Sequence, residues 1–217
     1  MKNLLYKEFY LSTSLLTFLF LGFTIMTFIP GYPILCGAFF VCFGIFHSYQ
    51  FGREDNDILF TVLLSVQKSD VVKSKYAAAV AVQMVAFLLF AGFTGIRMAF
   101  LSNAEVYRSN ALMGANLIFL AFVLLIFLVF NVVFLGGFFK TAYRFGKPFI
   151  SFLVVNFIVI VVAEALHHMP GLGWMNDLEL GRAGRHLPFL VLSLVLYFVG
   201  TVLSCRASQK RFEKIDL

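Results

Sequence analysis

Six runs of roughly twenty apolar residues follow one another along the chain, at 11–29, 34–51, 76–100, 110–139, 149–166 and 187–205. No Asp, Glu, Lys or Arg lies well inside any of them. Inside a bilayer every backbone N–H and C=O must be satisfied within the segment, so runs of this length are read as helices. With 61% hydrophobic and 13% charged residues, the composition excludes an ordinary soluble domain. The expectation is an all-α polytopic membrane protein with six transmembrane helices in a single domain. Only "PGYP" separates the first two runs, which predicts a tight hairpin.

The first run follows a short basic lead, as in a signal peptide, but it is long and shows no small-residue cleavage pattern before Pro30. It reads as a retained span. Cys36, Cys42 and Cys205 fall within or at the edge of apolar runs, so no disulfide or metal framework is expected.

Lys and Arg accumulate on the cytoplasmic side of short loops. Lys2, Lys7, Arg53, Lys68, Lys73, Lys75, Lys140, Arg144, Lys147, Arg206, Lys210, Arg211 and Lys214 all fall in one alternating set of segments. The other set holds only Arg97, Arg108, Arg182 and Arg185. Both termini, the second being the tail 206–217, are therefore expected in the cytoplasm. The net charge of +6 suits anionic lipid headgroups and gives no reason to invoke nucleic acid.

This topology puts the charged segment 52–75 in the cytoplasm. After Gly52, the acids Glu54, Asp55 and Asp57 stand where a first helical turn favours negative charge. Ile58, Leu59, Val62, Leu63 and Val66 then recur at helical spacing, with Phe60 and Leu64 widening the apolar face. Ser69-Asp70 reads as the cap of the third span. A short amphipathic helix is thus expected between spans two and three, either lying on the inner leaflet or seated in a soluble partner.

Gradient-driven transporters usually carry intramembrane ionisable groups as relays, and the span interiors here have none. There is no Gly-x-x-x-x-Gly-Lys-Ser/Thr phosphate loop either; "GGFFKTAYRFGK" lacks the spacing. If the chain works with ATP, the nucleotide belongs to another polypeptide.

The basic segment "MKNLLYKEFY", the hairpin, and "REDNDILFTVLLSVQKSDVVKSKY" leading into an alanine-rich third span together resemble the ABC-2 class of ABC transporter permeases, in its compact six-span bacterial branch. Ser65 stands where that family usually has proline, and Gln67-Lys68 replaces a Ser-Arg pair. The resemblance implies that residues 1–10 form an interfacial elbow helix, with Leu5 and Phe9 on one face and Lys2 and Lys7 toward headgroups. It implies that Asp55, Asp57, Ile58, Leu59, Val62, Leu63 and Val66 belong to a coupling helix docked in an ATPase. It further implies two ATPase subunits per transporter, a second permease subunit (identical or sister), the bacterial cytoplasmic membrane, and export of a hydrophobic or amphipathic substrate such as an antimicrobial or toxin peptide. No cofactor is expected on this chain; ATP and Mg belong to the partner.

"EALHH" places Glu164, His167 and His168 on one helix face at the outer end of span five. Glu-x-x-His occurs in carboxylate-bridged metal sites, so a membrane-embedded metal enzyme is the alternative reading, although no second copy supplies further carboxylates. The outer segment 167–186 is too polar to span and too long for a tight turn. With Trp174 as a headgroup-level anchor, it is a candidate outer gate alongside Glu164, His167 and His168, or else a plain connector. Gln83, Asn116, Asn131 and Asn156 are expected to bond between helices, and Ala77 and Ala81 to admit a close neighbour. The fourth run is too long for the bilayer, and Gly136-Gly137 is its expected break.

Overall fold

The computed structural model describes residues 2–63, 66–141 and 144–215. Among these there is no strand. Helix α1, Lys2–Lys7, runs on into a π turn, Glu8–Ser12. The chain then breaks at extended Thr13 and bends by 84°. Ser14 caps the next helix, its Oγ accepting from Leu16 N at 3.2 Å. The first long helix therefore starts at Leu15, not at residue 11. It comprises α2, Leu15–Leu21, and a 3₁₀ continuation, Gly22–Phe28, and stops at extended Ile29, as expected of a residue before proline.

Helix α3, Cys36–Glu54, folds back against α2. The two backbones nearly touch at Gly44, where an added Cβ would meet Phe20 Cβ at 2.7 Å, and Thr17 Oγ1 donates to the Gly44 carbonyl at 2.8 Å. Gly52, expected to open the cytoplasmic loop, is still inside α3. Asn56 makes the turn in a left-handed conformation, φ +52°, which Asn tolerates better than most residues. Helix α4, Asp57–Leu63, comes next.

Helix α5 runs from Lys68 to Phe100. The expected Ser69-Asp70 cap is not used: extended Gln67 precedes the helix without a side-chain cap, and Ser69 lies in the first turn, where Asp70 pairs with Lys73 at 2.9 Å. At 33 residues, α5 is about 50 Å long at 1.5 Å per residue, well beyond about 30 Å of hydrocarbon, so it must protrude or tilt. After the short α6, Glu105–Arg108, residues 109–116 are not helical.

The fourth long helix begins at Leu117, seven residues later than expected, because Asn116 caps it, its Oδ1 accepting from Ile118 N and Phe119 N. It comprises α7, Leu117–Val129, a π turn, Phe130–Leu135, and α8, Gly136–Thr141. Gly136-Gly137 does not break it. These glycines admit close neighbours instead, with Pro148 2.9 Å from a Cβ built on Gly137 and Ser204 Oγ 3.3 Å from one on Gly136. Helices α9, Gly146–Leu166, and α10, Leu187–Phe212, complete the bundle, joined by two 3₁₀ turns. Much of the expected tail is thus a continuation of α10.

Leu117–Thr141 is the hub. It is the most apolar of the long helices, and 61% of its apolar stretch is buried, against 33% for α5, 22% for α9 and 17% for α10. The many phenylalanines fill the space between it, α3 and α9: Phe46 stacks on Phe149 at 3.8 Å and meets Phe134 edge-on at 5.5 Å. Polar side chains tie the hub to α5 and α10. Gln83 and Asn131 exchange two amide bonds of 2.9 Å, Tyr197 donates to Gln83 Oε1 at 2.7 Å, and Asn131 Nδ2 donates to Thr201 at 3.0 Å. The Asn131 carbonyl, in the π turn, accepts from Tyr76 and Ser204. Ala77 and Ala81 stay half-exposed, while the neighbouring Ala78 and Ala79 pack inward.

Among the described residues, four helices are long and apolar enough to cross a membrane: α5, Leu117–Thr141, α9 and α10. The bent pair Asn3–Ser12 and Leu15–Phe28 makes five if it counts as one span.

Candidate docking helix and outer cleft

Two ends of the bundle can be told apart by their contacts. At one, Lys68 Nζ donates to the Ile215 carbonyl at 2.6 Å, and α1 meets α4 and the start of α5. At the other, Arg97 Nη1 donates to the Thr27 carbonyl at 2.5 Å, with its guanidinium 4.0 Å above the Tyr107 ring. The N-terminal helix and residue 215 therefore share an end, and it is the end rich in Lys and Arg.

At that end a neutral cluster of two cations and two anions joins three segments. Lys75 Nζ lies 2.8 Å from Asp57 Oδ2 and 2.9 Å from Glu8 Oε2. Lys7 pairs with Asp57 and donates to Thr61 Oγ1 at 2.5 Å. Lys75 and Glu8 are buried, and the Tyr49 ring centroid lies 5.6 Å from Lys75 Nζ. Burial by itself would raise the Asp57 carboxyl, but the charges and hydrogen bonds of Lys75 and Lys7 hold it below the ordinary carboxylate range. Lys7 is thus committed to α4 rather than turned toward headgroups.

The clasp fixes how α4 faces. Ile58 is buried in the core and Val62 and Val66 are half-buried, while Asp55 is exposed beside the turn. The side chains left outward are Leu59 (38% exposed), Phe60 (62%) and Leu63 (74%). Of the seven residues expected to dock, Leu59 and Leu63 share this outer face; Phe60, expected only to widen it, is exposed beside them. Glu8, Lys7 and Lys75 were not anticipated. The one available signal was Glu8, the lone acid in an otherwise basic and apolar N-terminal segment.

At the opposite end, Glu164 Oε2 accepts from Met113 N at 2.8 Å, and His167 Nε2 donates to the Ala111 carbonyl at 3.0 Å. Both side chains hold the 109–116 segment rather than one another. The His168 ring lies 4.1 Å from that of His167. Among the described residues, no group of three or more His, Cys, Asp or Glu is placed to hold a metal ion. Asn116, expected as a mid-span amide, donates from the same end to the carbonyls of Met175 (2.8 Å) and Asp177 (3.2 Å). Asn176 Oδ1 accepts from Gly114 N at 2.6 Å. Trp174 packs on His186 and Phe189, and its carbonyl accepts from His186 Nε2 at 2.9 Å. The outer segment is therefore pinned in its middle.

Below it, between α3 and α9, lies an apolar cleft of ≈ 640 Å³ whose walls include Cys36, Phe39, Phe40, Asn156, Ile160 and Glu164. That volume is within the range of small-molecule sites.

A helical bundle with a clasped surface helix at one end and an apolar cleft toward the other suits a membrane transport subunit. Residues 3–213 match the family model of the ABC-2 family transporter proteins, and the chain belongs to that family. No curated protein and no solved structure matches it.

Proposed function

We propose that the chain is the membrane-spanning subunit of an ATP-driven exporter that docks a separate ATPase through α4. The observation that carries this reading is the apolar face of Leu59, Phe60 and Leu63, held outward on a helix clamped to the protruding start of α5. Membership of a transporter family whose permeases typically work with an ATPase subunit supports it. A push on α4 then travels into α5 through Asp57–Lys75 and into α1 through Asp57–Lys7, with Glu8 of the following π turn held on the same Lys75.

In this reading six helices cross the bilayer of a bacterial cell, with α1 and its π turn lying on the inner surface. Leu15–Phe28 has only fourteen residues, but seven of them are 3₁₀ and rise about 2.0 Å each, so the whole segment reaches about 25 Å. Helix α3 is counted as a span because it pairs antiparallel with that helix along most of its length, although His47, Gln50 and Arg53 make its second half polar. The gathering of residues 7 and 215 at the basic end supports cytoplasmic termini. Two such chains, identical or sister, with two ATPase subunits complete the transporter, and a hydrophobic or amphipathic cargo passes along the cleft between α3 and α9. The metal-enzyme alternative has no comparable support, because Glu164 and His167 are both engaged with backbone.

The test is the double substitution Leu59→Asp/Leu63→Asp. Burying each leucine in a partner contributes about 1.5–3 kcal/mol, so the pair should weaken ATPase association more than a hundredfold while membrane insertion persists. Co-purification of the ATPase at wild-type stoichiometry would overturn the docking assignment.

A further inference from the structure

We propose that the hollow beside α4 receives an arginine side chain of the ATPase, its guanidinium on Asp55 and its stem against Phe51 and Phe60. The proposal rests on the reading of α4 as the docking helix and adds the chemistry that the partner must present there.

The hollow, ≈ 310 Å³, opens at the basic end, where the π turn after α1, the last turn of α3 and the start of α4 meet. Phe51, Asp55 and Phe60 line it, and all three are exposed, so a side chain from outside can reach them. Lys7 and Asp57 line it too, but they already pair with one another. Asp55 differs: among the described residues it forms no ion pair. The basic residue nearest in sequence, Arg53, lies over the Phe145 ring instead, 5.0 Å from its centroid. Asp55 therefore leaves the hollow with one uncompensated negative charge.

Phe60 belongs both to this hollow and to the outward face of α4, so a partner that covers Leu59, Phe60 and Leu63 also closes over Asp55. In water an exposed carboxylate needs no partner. Once covered, it loses its hydration and requires both donors and an opposite charge. A neutral amide or hydroxyl supplies the donors and leaves the charge unbalanced. Lysine and arginine supply both. The aromatic side chains at the hollow select arginine, whose planar guanidinium stacks on rings and meets a carboxylate with two N–H donors at once.

The test measures binding of the ATPase that co-purifies with the wild-type chain to the chain in nanodiscs of phosphatidylcholine and phosphatidylethanolamine. Asp55→Asn should weaken binding about thirtyfold, and Asp55→Arg more than about a hundredfold. Glu54 is exposed next door but does not line the hollow, so Glu54→Arg should weaken binding by no more than about threefold. All three variants should unfold at the wild-type midpoint, since neither acid is buried. Asp55→p-benzoylphenylalanine should photocrosslink to the ATPase beside an arginine, and changing that arginine to Asp should restore binding to Asp55→Arg. Equal losses for Glu54→Arg and Asp55→Arg would overturn the proposal, because the charge would then act at long range and not through a seated side chain. So would a crosslink to a second copy of this chain. Unchanged ATPase affinity in Asp55→Asn, with loss of bound phosphatidylethanolamine, would overturn it as well and give the hollow to a lipid ammonium. Leu59→Asp/Leu63→Asp separates the two ideas: if that pair abolishes binding and the Asp55 variants do not, α4 docks and no arginine enters. If the pair binds normally, the docking reading falls and this proposal with it.

Discussion

Lys75 Nζ lies 2.8 Å from Asp57 Oδ2, joining the second turn of α5 to the first turn of α4 across 18 positions of sequence. Both ends of this bond are largely out of water, and Glu8 shares the same ammonium. Removing one partner of such a group leaves an uncompensated charge, which costs more than the pair contributes. Lys75→Met should therefore destabilise the chain by about 3–5 kcal/mol. Adding Asp57→Asn should recover part of that loss, a non-additivity that a double-mutant cycle of unfolding in detergent would detect.

The same carboxylate gives the chain an acid sensitivity of known sign. Lys75 and Lys7 depress the Asp57 pKa below its ordinary 3.8. Its contribution to stability is therefore fully present above about pH 4 and is lost as pH falls through the lower, folded-state value. Between pH 5 and pH 3, the unfolding midpoint of the wild type should fall more steeply than that of Asp57→Asn. Parallel curves would show that the pair contributes nothing.

Neighbouring residues of α4 should separate stability from docking. Ile58 is buried within the bundle, so Ile58→Ala should cost about 2–5 kcal/mol of stability. Phe60 faces outward, so Phe60→Ala should change stability by less than about 0.5 kcal/mol and still reduce ATPase co-purification. Unaltered co-purification by Phe60→Ala would remove Phe60 from the interface.

Tyr197→Phe should be mild, because Gln83 Oε1 keeps its bond from Asn131. Hydrogen bonds between membrane helices average about 0.6 kcal/mol, and a loss of that order is expected. Asn131→Leu removes the bonds to both Gln83 and Thr201 and should cost several times more, as read by thermal unfolding in detergent.

Asn116→Ala should loosen the outer segment by losing the bonds to Met175 and Asp177. If 167–186 gates the exit, this change and deletion of 171–174 should both impair export while ATPase binding is retained. Normal export by the deletion variant would make the segment a connector.

Hydropathy located the helices because each is apolar over some twenty residues, but it misplaced several ends. Residues 110–115 carry no charge, so a hydropathy window runs them into the following apolar stretch, whereas the Asn116 side chain, by accepting from two amides, caps the helix after them. The break before α2 turns on Thr13 and Ser14, two polar residues that a window average absorbs. The outward face of α4 was half legible: spacing nominates a stripe, but which part of it points out depends on Lys7 and Lys75, one 50 residues before Asp57 and the other in the next helix. The cleft was not legible, since it forms where two sequence-distant helices fail to close on one another.

The hub position of Leu117–Thr141 bears on how the chain is made. Its most extensive neighbour is α10, which is synthesised only after it and α9. If the chain inserts as it is translated, this helix must therefore enter the bilayer before its principal partner exists, with the surface later enclosed still facing lipid. Its mean hydropathy of 3.2, far above the 2.1 to 2.6 of the other three long apolar helices, suits a segment that must be stable alone in oil until α10 arrives to cover it.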